Sequence, residues 1–429
     1  MIDLEDRGDA ERAVLVGAPP TAMPHSVADE HLRELGRLAD TAGAQVVGTV
    51  VQRLDAPHPR FYIGRGKVDQ LKDISEEREA GLVVFDDELS PAQGRNLEQA
   101  LGVRVVDRAE LILDIFASRA RTAEAQMQVE LAQLEYLLPR LKRMWTHLSR
   151  IRGGIGLRGP GETQLETDRR IIGRRIRDLK AKLRIVERRR ETQRRARSEE
   201  FQFALVGYTN AGKSSILRSL SGSDLFVEDR LFATLDPATR AVELDGTRVL
   251  LTDTVGFIRK LPHDLVPSFR ATLEEATTSD VLMHVIDASA SDWEEHLQVV
   301  REVLADLGLG GRPSLHVFNK TDRLTHEEEE ALRTRLAGAF DPPAVFCSAH
   351  EPGGLDELRR AMLARVRAER PEVAVSLPAG DGETLATLYR EGEVVSARHE
   401  GARVDIVARL PLAVLGRLRT RPGVRVAGG

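Results

Sequence analysis

The sequence predicts a multidomain α/β protein that contains one long helical hairpin, and three observations support this fold class. The chain has 429 residues, more than one hydrophobic core usually holds, because domains commonly have about 100 to 200 residues. Short β-branched runs alternate with helix-period segments in two separate stretches, which is typical of parallel α/β domains. Two long runs of helical periodicity flank a glycine-rich segment between them. We therefore expect an N-terminal parallel α/β subdomain at residues 1–118, a helical hairpin at 119–200, an α/β domain with a mainly parallel sheet at 201–370 and a small α+β domain at 371–429.

The N-terminal subdomain is predicted from four apolar, β-branched runs separated by helical stretches such as 29–42. The runs lie at residues 13–16, 46–51, 82–85 and 103–106. Gly64 and Gly66 mark a turn into a helix between the second and third runs. We interpret these glycines as residues that permit a backbone turn rather than as a phosphate site, because the longer glycine spacing of a dinucleotide-binding loop is absent.

The hairpin is predicted from apolar residues that recur every three or four positions. The first set is Met127, Leu131, Leu134, Leu138 and Leu141, and the second is Ile172, Ile176, Leu179, Leu183 and Val186. The segment 152–164 between the sets is too rich in glycine for regular structure. The two helices are therefore expected to fold back on each other around an irregular tip.

The hairpin carries a basic charge that the composition of the whole chain conceals. The formal net charge of −5 indicates no nucleic-acid partner by itself. Residues 140–200, however, hold 20 Lys or Arg against 8 Asp or Glu, a local charge of +12 that leaves −17 for the rest of the chain. A solvated coiled coil with basic outer faces is one interpretation. We favour contact with structured RNA through its phosphates, because runs such as Arg188, Arg189 and Arg190 repel one another unless an anion offsets them.

Composition also limits the setting in which the protein works. The single cysteine, Cys347, cannot form an internal disulfide, so a reducing compartment is expected. The first twelve residues are acidic and polar, unlike a secretory signal, and no run of about 18 apolar residues is present. We expect a cytoplasmic monomer, with peripheral association at the membrane as an alternative location.

The C-terminal part is predicted to form a small sheet with helices. Residues 373–377, 393–399 and 403–409 have the composition of strands, and helical segments surround Glu383 and Leu412. A split β-α-β arrangement fits this order.

The domain at 201–370 contains a phosphate-binding motif, G-x-x-x-x-G-K-[ST]. Its residues are Gly207, Tyr208, Thr209, Asn210, Ala211, Gly212, Lys213 and Ser214. A predicted strand precedes the motif and a helix-forming run follows it, which is the context that the motif requires. Backbone N–H groups of the loop and the helix N-terminus would hold phosphate oxygens. Lys213 would lie between the β- and γ-phosphates as the catalytic point charge, and the Ser214 hydroxyl would bind Mg²⁺.

A second motif, D-x-x-G, follows the strand predicted at 249–251. It consists of Asp253, Thr254, Val255 and Gly256. The Asp253 carboxylate is expected to hold Mg²⁺ through a water. The Gly256 N–H is expected to reach the γ-phosphate, so that loss of this phosphate releases the segment behind it.

A third motif, N-K-x-D, selects the base. It consists of Asn319, Lys320, Thr321 and Asp322, after a strand predicted at 314–318. Asp322 can accept hydrogen bonds from the guanine N1–H and exocyclic amine, which adenine does not offer, whereas Asn319 would contact N7 and Lys320 would pack along the base. Cys347, Ser348 and Ala349 follow the strand at 344–346, and backbone N–H groups of the last two would close the base pocket. We therefore predict a P-loop GTPase domain with GTP as its substrate.

In this order the motifs resemble those of the translation-factor-related GTPases. The resemblance implies a first switch formed by Phe232, Ala233, Thr234, Leu235 and Asp236. Thr234 would supply the second hydroxyl ligand of Mg²⁺, and a loop threonine without this role is the alternative. Phe257 stands where Ras-like enzymes place a water-orienting Gln, so hydrolysis must be slow alone or must borrow a group from elsewhere. An Asn at the loop position of Asn210 also occurs in GTPases that use a monovalent cation beside the phosphates. We therefore expect K⁺ to stimulate hydrolysis.

Three segments further resemble the HflX family of ribosome-associated GTPases. They are Y-I-G-R-G-K at 62–67, G-P-G-E-T-Q-L-E at 159–166 and D-T-V-G-F-I at 253–258. The resemblance covers roughly residues 12–368 and is specific, because the glycine-rich linker is not a general GTPase feature. It implies binding to the large ribosomal subunit and its RNA, and ribosome splitting or recycling under stress. It also implies hydrolysis of ATP, which N-K-x-D does not predict.

The leading hypothesis is a GTP-switched ribosome-binding factor. GTP would order the segments at Thr234 and Gly256, which would set the orientation of the hairpin, whose tip would contact ribosomal RNA. Two alternatives stay open. One is a GTPase of large-subunit assembly or RNA maturation, and the other is a switch that acts on a protein partner through its coiled coil.

Overall fold

The computed structural model describes residues 10–141, 162–195, 200–222, 231–261 and 275–428. The chain divides into two compact units, and each is described by itself. The first comprises residues 1–188, 228–236 and 255–273, and the second comprises 189–227, 237–254 and 274–429. The predicted α/β class is confirmed. Within the described ranges, no helix is long and apolar enough to cross a membrane.

The first unit contains the predicted N-terminal parallel sheet. Its strands are β1 (Arg12–Gly17), β2 (Gln45–Val51), β3 (Leu82–Phe85) and β4 (Arg104–Asp107), in the order β2-β1-β3-β4 and all parallel. Its helices are α1 (His25–Thr41), α2 (Arg65–Glu77), α3 (Pro91–Leu101) and α4 (Arg108–Arg119). Local sequence fixes α3 at both ends, because Ser90 and Gln93 form a capping box and Gly102 ends the helix at a φ of +78°.

The predicted hairpin is also confirmed. Helix α5 (Ala123–Leu137) continues into one 3₁₀ turn, Leu138–Arg140, and α6 spans Glu162–Arg195. The seam between the helices contains eight of the ten predicted apolar residues, Met127, Leu131, Leu134, Leu138, Ile172, Ile176, Leu179 and Leu183, and the remaining two, Leu141 and Val186, lie outside this cluster. Of the segment 152–164 that was predicted to be irregular, 152–161 lies outside the described residues, whereas 162–164 belong to α6, so the prediction is wrong for these three residues. The side chains of Arg189 and Arg190 also lie outside the described residues.

The second unit is built on a six-stranded sheet with the order β10-β9-β8-β5-β7-β6. Its strands are β5 (Phe201–Gly207), β6 (Ala238–Leu244), β7 (Thr247–Asp253), β8 (Val281–Asp287), β9 (Ser314–Asn319) and β10 (Val345–Phe346). Only the edge strand β6 is antiparallel to its neighbour. Helices α7 (Lys213–Ser221), α8 (Trp293–Asp306), α9 (His326–Leu336) and α10 (Asp356–Glu369) complete this sheet domain. The three predicted nucleotide motifs follow β5, β7 and β9, and the carboxyl ends of parallel strands meet at one edge of the sheet.

The second unit also contains the C-terminal sheet. It is formed by β11 (Glu372–Pro378), α11 (Gly382–Glu391), β12 (Glu393–Glu400), β13 (Arg403–Arg409), α12 (Leu412–Arg419) and β14 (Arg425–Ala427). The antiparallel strand order β12-β13-β11-β14 is the split β-α-β arrangement predicted from the sequence. Strand β14 was not predicted, because three residues are too few to show an alternating pattern.

Candidate nucleotide-binding site

The loop between β5 and α7 requires glycine at two positions. Gly207 has a φ of +154°, and a Cβ there would lie 2.2 Å from the Val285 carbonyl oxygen. Gly212 has a φ of +96°, and a Cβ there would lie 2.1 Å from Asn319 Nδ2. Asn210 adopts a left-handed φ of +60° between them. The backbone therefore wraps tightly, as a phosphate-binding loop must for its N–H groups to converge on an anion.

Lys213 is the buried cation of this loop. Its side chain is 6 % exposed, and Nζ donates to the carbonyl oxygens of Gly207 at 3.1 Å and Tyr208 at 2.9 Å. Burial lowers the pKa of Lys213 to about 8, although the Asp253 carboxylate acts in the opposite direction. The ammonium is thus held over the loop by neutral carbonyls, where a phosphate would restore its charge partner.

Ser214, a predicted Mg²⁺ ligand, is hydrogen-bonded to Asp253, which is expected to hold the ion through a water. Ser214 Oγ donates to Asp253 Oδ2 at 2.6 Å, and the carboxylate is buried at the end of β7. Mg²⁺ prefers such hard oxygen ligands and is usually held by one or two protein groups together with phosphates and waters. Among the described residues, no group of three or more His, Cys, Asp or Glu could hold a metal by itself. The Ser214 hydroxyl and the Asp253 carboxylate are oxygen donors that fit a Mg²⁺ ion bound jointly with a nucleotide.

Asn319 connects the phosphate loop with the loop after β10. Its Nδ2 donates to the Ala211 carbonyl oxygen at 2.9 Å, and its Oδ1 accepts from the Ala349 N–H at 3.3 Å. Lys320, in a left-handed conformation with a φ of +69°, pairs with Asp287 of β8 at 2.7 Å. The sequence did not single out Asp287, because a carboxylate at the end of a strand belongs to no motif of its own.

Ser348 holds the carboxylate of Asp322, which is expected to read the base. Its Oγ donates to Asp322 Oδ1 at 2.6 Å and accepts from the N–H groups of His350 and Glu351 at 3.2 and 3.3 Å. The backbone N–H groups that we expected to face the base have a different use. That of Ser348 donates to the Gly354 carbonyl oxygen at 3.0 Å, and that of Ala349 donates to Asn319. Cys347 is buried, and burial raises its pKa to about 12. The thiol is therefore neutral and packs in the hydrophobic core.

Tyr208 of the phosphate loop is fixed by helix α8. Its ring stacks on the His296 ring with centroids 3.7 Å apart and an interplanar angle of 16°. His296 in turn lies 3.1 Å from the Asp292 carboxylate. This support was missed by sequence reasoning, since Tyr208 and His296 are 88 positions apart and neither belongs to a recognised pair. It orients the loop without contributing a polar group to it.

Thr234, Gly256 and Phe257 belong to the first unit. Thr234 is half-buried, and its neighbours Phe232 and Leu235 are buried. Phe257 is only 1 % exposed, so the phenyl ring that replaces the expected Gln is a packing residue. Since it has no hydrogen-bonding group, it cannot orient a water for attack on a phosphate.

The segment that follows Phe257 is held by a buried cluster of charges in the first unit. The Arg259 carbonyl oxygen accepts from Arg108 Nε at 3.1 Å, and the Arg259 guanidinium lies 3.3 Å from the Glu34 carboxylate. Lys260 Nζ lies 2.6 Å from both Asp86 and Asp87. Arg108, at 2 % exposure, also pairs with Glu34 and Asp86. No sequence pattern predicts this cluster, because its members come from distant segments of the chain.

The second unit thus contains several of the features predicted for a guanine-nucleotide site. Its phosphate loop has two glycines at positive φ and a buried ammonium, the Ser214 and Asp253 oxygens suit Mg²⁺, and the oriented Asp322 carboxylate suits the guanine edge. The chain matches three family models in the corresponding order. They are described as GTP-binding GTPase N-terminal over residues 29–117, GTP-binding GTPase Middle Region over 119–197 and 50S ribosome-binding GTPase over 202–320.

The chain is also similar to curated proteins named GTPase HflX over nearly its whole length. The protein of Caldanaerobacter subterraneus subsp. tengcongensis is 45 % identical over 96 % of this chain and 94 % of its own length. That of Magnetococcus marinus is 46 % identical over 99 % and 98 %, and that of Escherichia coli strain K12 is 41 % identical over 96 % and 97 %. The chain therefore belongs to the HflX family and is a GTPase whose substrate is GTP.

Proposed function

We propose that this GTPase binds the large ribosomal subunit and its RNA, and that its nucleotide cycle drives ribosome splitting or recycling under stress. The observation that carries the proposal is the distribution of basic side chains on α6. It is supported by the description of the matched family model as a 50S ribosome-binding GTPase.

Helix α6 carries two kinds of basic residue. On the flank that faces α5, Arg175 makes a two-pronged contact with Glu130 at 2.7 and 2.8 Å, and Lys180 lies 2.7 Å from Glu135. These cations are neutralised within the hairpin. Their role is to hold the two helices together, at a modest gain because the pairs are half-exposed.

The second kind forms what we call the outer row, Arg170, Arg174, Arg177 and Arg184. All four are exposed and lie opposite the apolar seam. They span about 21 Å along the helix. None of the four has a carboxylate partner among the described residues. Four guanidiniums along one side of a helix repel one another, and a phosphate backbone removes that repulsion while releasing counterions. This row extends the basic surface beyond the Arg188–Arg190 run that the sequence emphasised.

A matched pair of double variants tests the contact. Arg174→Gln with Arg177→Gln removes two charges from the outer row, whereas Arg175→Gln with Lys180→Gln removes two charges from the inner flank. The first should weaken association with large ribosomal subunits and reduce the slope of log affinity against log salt by about 1.4 to 1.8. The second should leave both nearly unchanged. Equal effects of the two variants would contradict the assignment of the outer row.

The proposed chemistry follows from the residues of the site. Lys213 and the loop N–H groups would hold the β- and γ-phosphates, and Ser214, Thr234 and Asp253 would hold Mg²⁺, which neutralises charge that develops on the phosphates. The Gly256 N–H would sense the γ-phosphate. Because Phe257 cannot orient water, we propose slow intrinsic hydrolysis that a K⁺ ion beside Asn210 accelerates. Use of ATP as a second substrate is proposed on family resemblance alone.

Sucrose-gradient sedimentation separates the proposed role from its main alternative. With a non-hydrolysable GTP analogue, the protein should convert 70S ribosomes into free subunits, and with GDP it should not. A GTPase of large-subunit assembly would instead sediment with precursor particles and leave mature ribosomes intact. Binding that survives RNase and high salt would indicate a protein partner of the hairpin and refute the RNA contact.

A further inference from the structure

The first switch is fastened to the base of the hairpin by one carboxylate, that of Asp236. Its Oδ2 accepts from the backbone N–H groups of Arg121 at 3.1 Å and Thr122 at 3.3 Å, and its Oδ1 accepts from the Thr122 hydroxyl. Thr122 is the N-cap of α5, where its Oγ1 also accepts from the Ala125 N–H at 3.2 Å. Asp236 therefore caps the first helix of the hairpin from outside that helix, at the end where the helix dipole favours a negative charge.

An apolar contact supports the same junction. The Phe232 ring meets the Phe116 ring edge to face, with centroids 4.6 Å apart and an interplanar angle of 78°. Both rings are buried at 2 % exposure or less. Phe116 lies in the last turns of α4, just before the turn into α5. The first switch thus contacts the α4–α5 corner at both of its ends, on either side of Thr234.

In chain order, Asp236 is the last residue of its segment of the first unit, and β6 of the second unit follows. After Pro237, Ala238 begins β6 and is paired with Asp253 of β7, whose carboxylate accepts from Ser214. In the other direction, Thr234 precedes Asp236 by two residues. Only one residue therefore separates Thr234, the expected Mg²⁺ ligand, from the carboxylate that accepts hydrogen bonds at the N-terminus of α5.

We infer that Asp236 is a positioning residue that couples the nucleotide state of the first switch to the helical hairpin. The inference rests on the proposed function, because it assigns a route to the nucleotide control of ribosome binding. When GTP and Mg²⁺ draw Thr234 into place, the Asp236 carboxylate shifts relative to the N-terminus of α5, and the base of the hairpin follows. By reciprocity, subunit binding at the hairpin changes the affinity for GTP by the same factor.

The coupling is measured as one ratio. Affinity of the full-length protein for large ribosomal subunits is determined with GMPPNP and with GDP, and the first value is divided by the second. Coupling between two sites commonly changes affinity by about 5- to 150-fold. Asp236→Asn removes the negative charge from the side chain that accepts three hydrogen bonds. The affinity ratio should therefore fall about tenfold, or to one where the wild-type ratio is below ten. Asp381→Asn is the control, since Asp381 caps α11 in a similar way, by accepting from the N–H and the hydroxyl of Thr384 at 3.1 and 2.6 Å.

Thr122 provides a second test from the other side of the contact. Thr122→Val removes the hydroxyl and should lower the affinity ratio as Asp236→Asn does. Thr122→Ser keeps the hydroxyl and should have the wild-type ratio. Adding Thr122→Val to Asp236→Asn should lower the affinity ratio little further, because both changes remove the same contact between Asp236 and Thr122. Thermal unfolding of each variant shows whether the fold is retained, and a purely structural role would lower affinity equally with both nucleotides.

Two results separate failure of this inference from failure of the proposed function. A wild-type ratio well above one that persists in Asp236→Asn and Thr122→Val overturns the inference and leaves the proposed function intact. A wild-type ratio of one refutes nucleotide-controlled binding and removes the coupling with it.

Discussion

The lowered pKa of Lys213 predicts that affinity for GTP falls as the pH rises above neutrality. The buried ammonium of the nucleotide-free protein has a pKa of about 8, and the neutral carbonyls of Gly207 and Tyr208 are its hydrogen-bond partners. The triphosphate binds the charged form, so GTP raises this pKa. Above pH 8, binding must therefore take up a proton from solution, which reduces the apparent affinity.

The magnitude follows from the fraction of Lys213 that is charged. With a pKa of about 8, about nine tenths of the free protein is charged at pH 7.0 and about one quarter at pH 8.5, so affinity should fall about fourfold over this interval. Below pH 7 the effect should level off, because the side chain is already protonated.

The assay is a fluorescence titration with a labelled GTP analogue and saturating Mg²⁺, at pH 7.0, 7.5, 8.0 and 8.5. Stopping at pH 8.5 keeps the guanine N1–H protonated. Lys213→Arg is the control, since a guanidinium stays charged throughout, and its affinity should not follow the same curve. Lys213→Ala should abolish binding. A wild-type affinity that is constant from pH 7.0 to 8.5 would refute the reasoning.

Three further predictions concern the loops of the site. Gly212→Ala forces a side chain into a φ of +96° and against Asn319 Nδ2, so GDP affinity should fall at least tenfold in a protein with an unchanged circular dichroism spectrum; wild-type affinity would show that the loop can relax. Ser348→Ala removes the 2.6 Å hydrogen bond to Asp322 and should weaken GTP and GDP equally, by about tenfold in equilibrium titration, whereas loss for GTP alone would place Ser348 elsewhere in the cycle. Hydrolysis with Mg²⁺ should be faster in KCl than in NaCl, and Asn210→Ala should remove the difference; equal wild-type rates would argue against a K⁺ site.

The nucleotide motifs were accessible from the sequence because each acts over a short stretch of chain. Gly212 is needed by the backbone conformation of its own loop, and Lys213 and Ser214 follow within two residues. Helix α3 was similarly predictable, since Ser90, Gln93 and Gly102 satisfy its ends locally. Such features depend on covalent geometry and on hydrogen bonds between near neighbours, which any folded context preserves.

Some expected contacts differed because they depend on which groups compete for a hydrogen bond. Ser348 was expected to offer its N–H to the base, yet Gly354 takes that N–H and the hydroxyl holds Asp322 instead. The choice depends on a loop whose path cannot be derived from a dipeptide. Strand β14 was missed for a related reason, since it is defined by pairing with β11 rather than by its own composition.

The sequence by itself determined the α/β class, the two helices of the hairpin, the three nucleotide motifs and the basic charge concealed within a net charge of −5. Tertiary structure decided which charges are available. It pairs Arg175 and Lys180 with carboxylates of α5 and leaves the outer row exposed. It also joins Asp236 to Thr122 across 114 positions and Lys260 to Asp86 across 174. The physical reason is that periodicity and backbone geometry are local, whereas an ion pair depends on segments that only folding brings together, and no pattern along the chain records their distance.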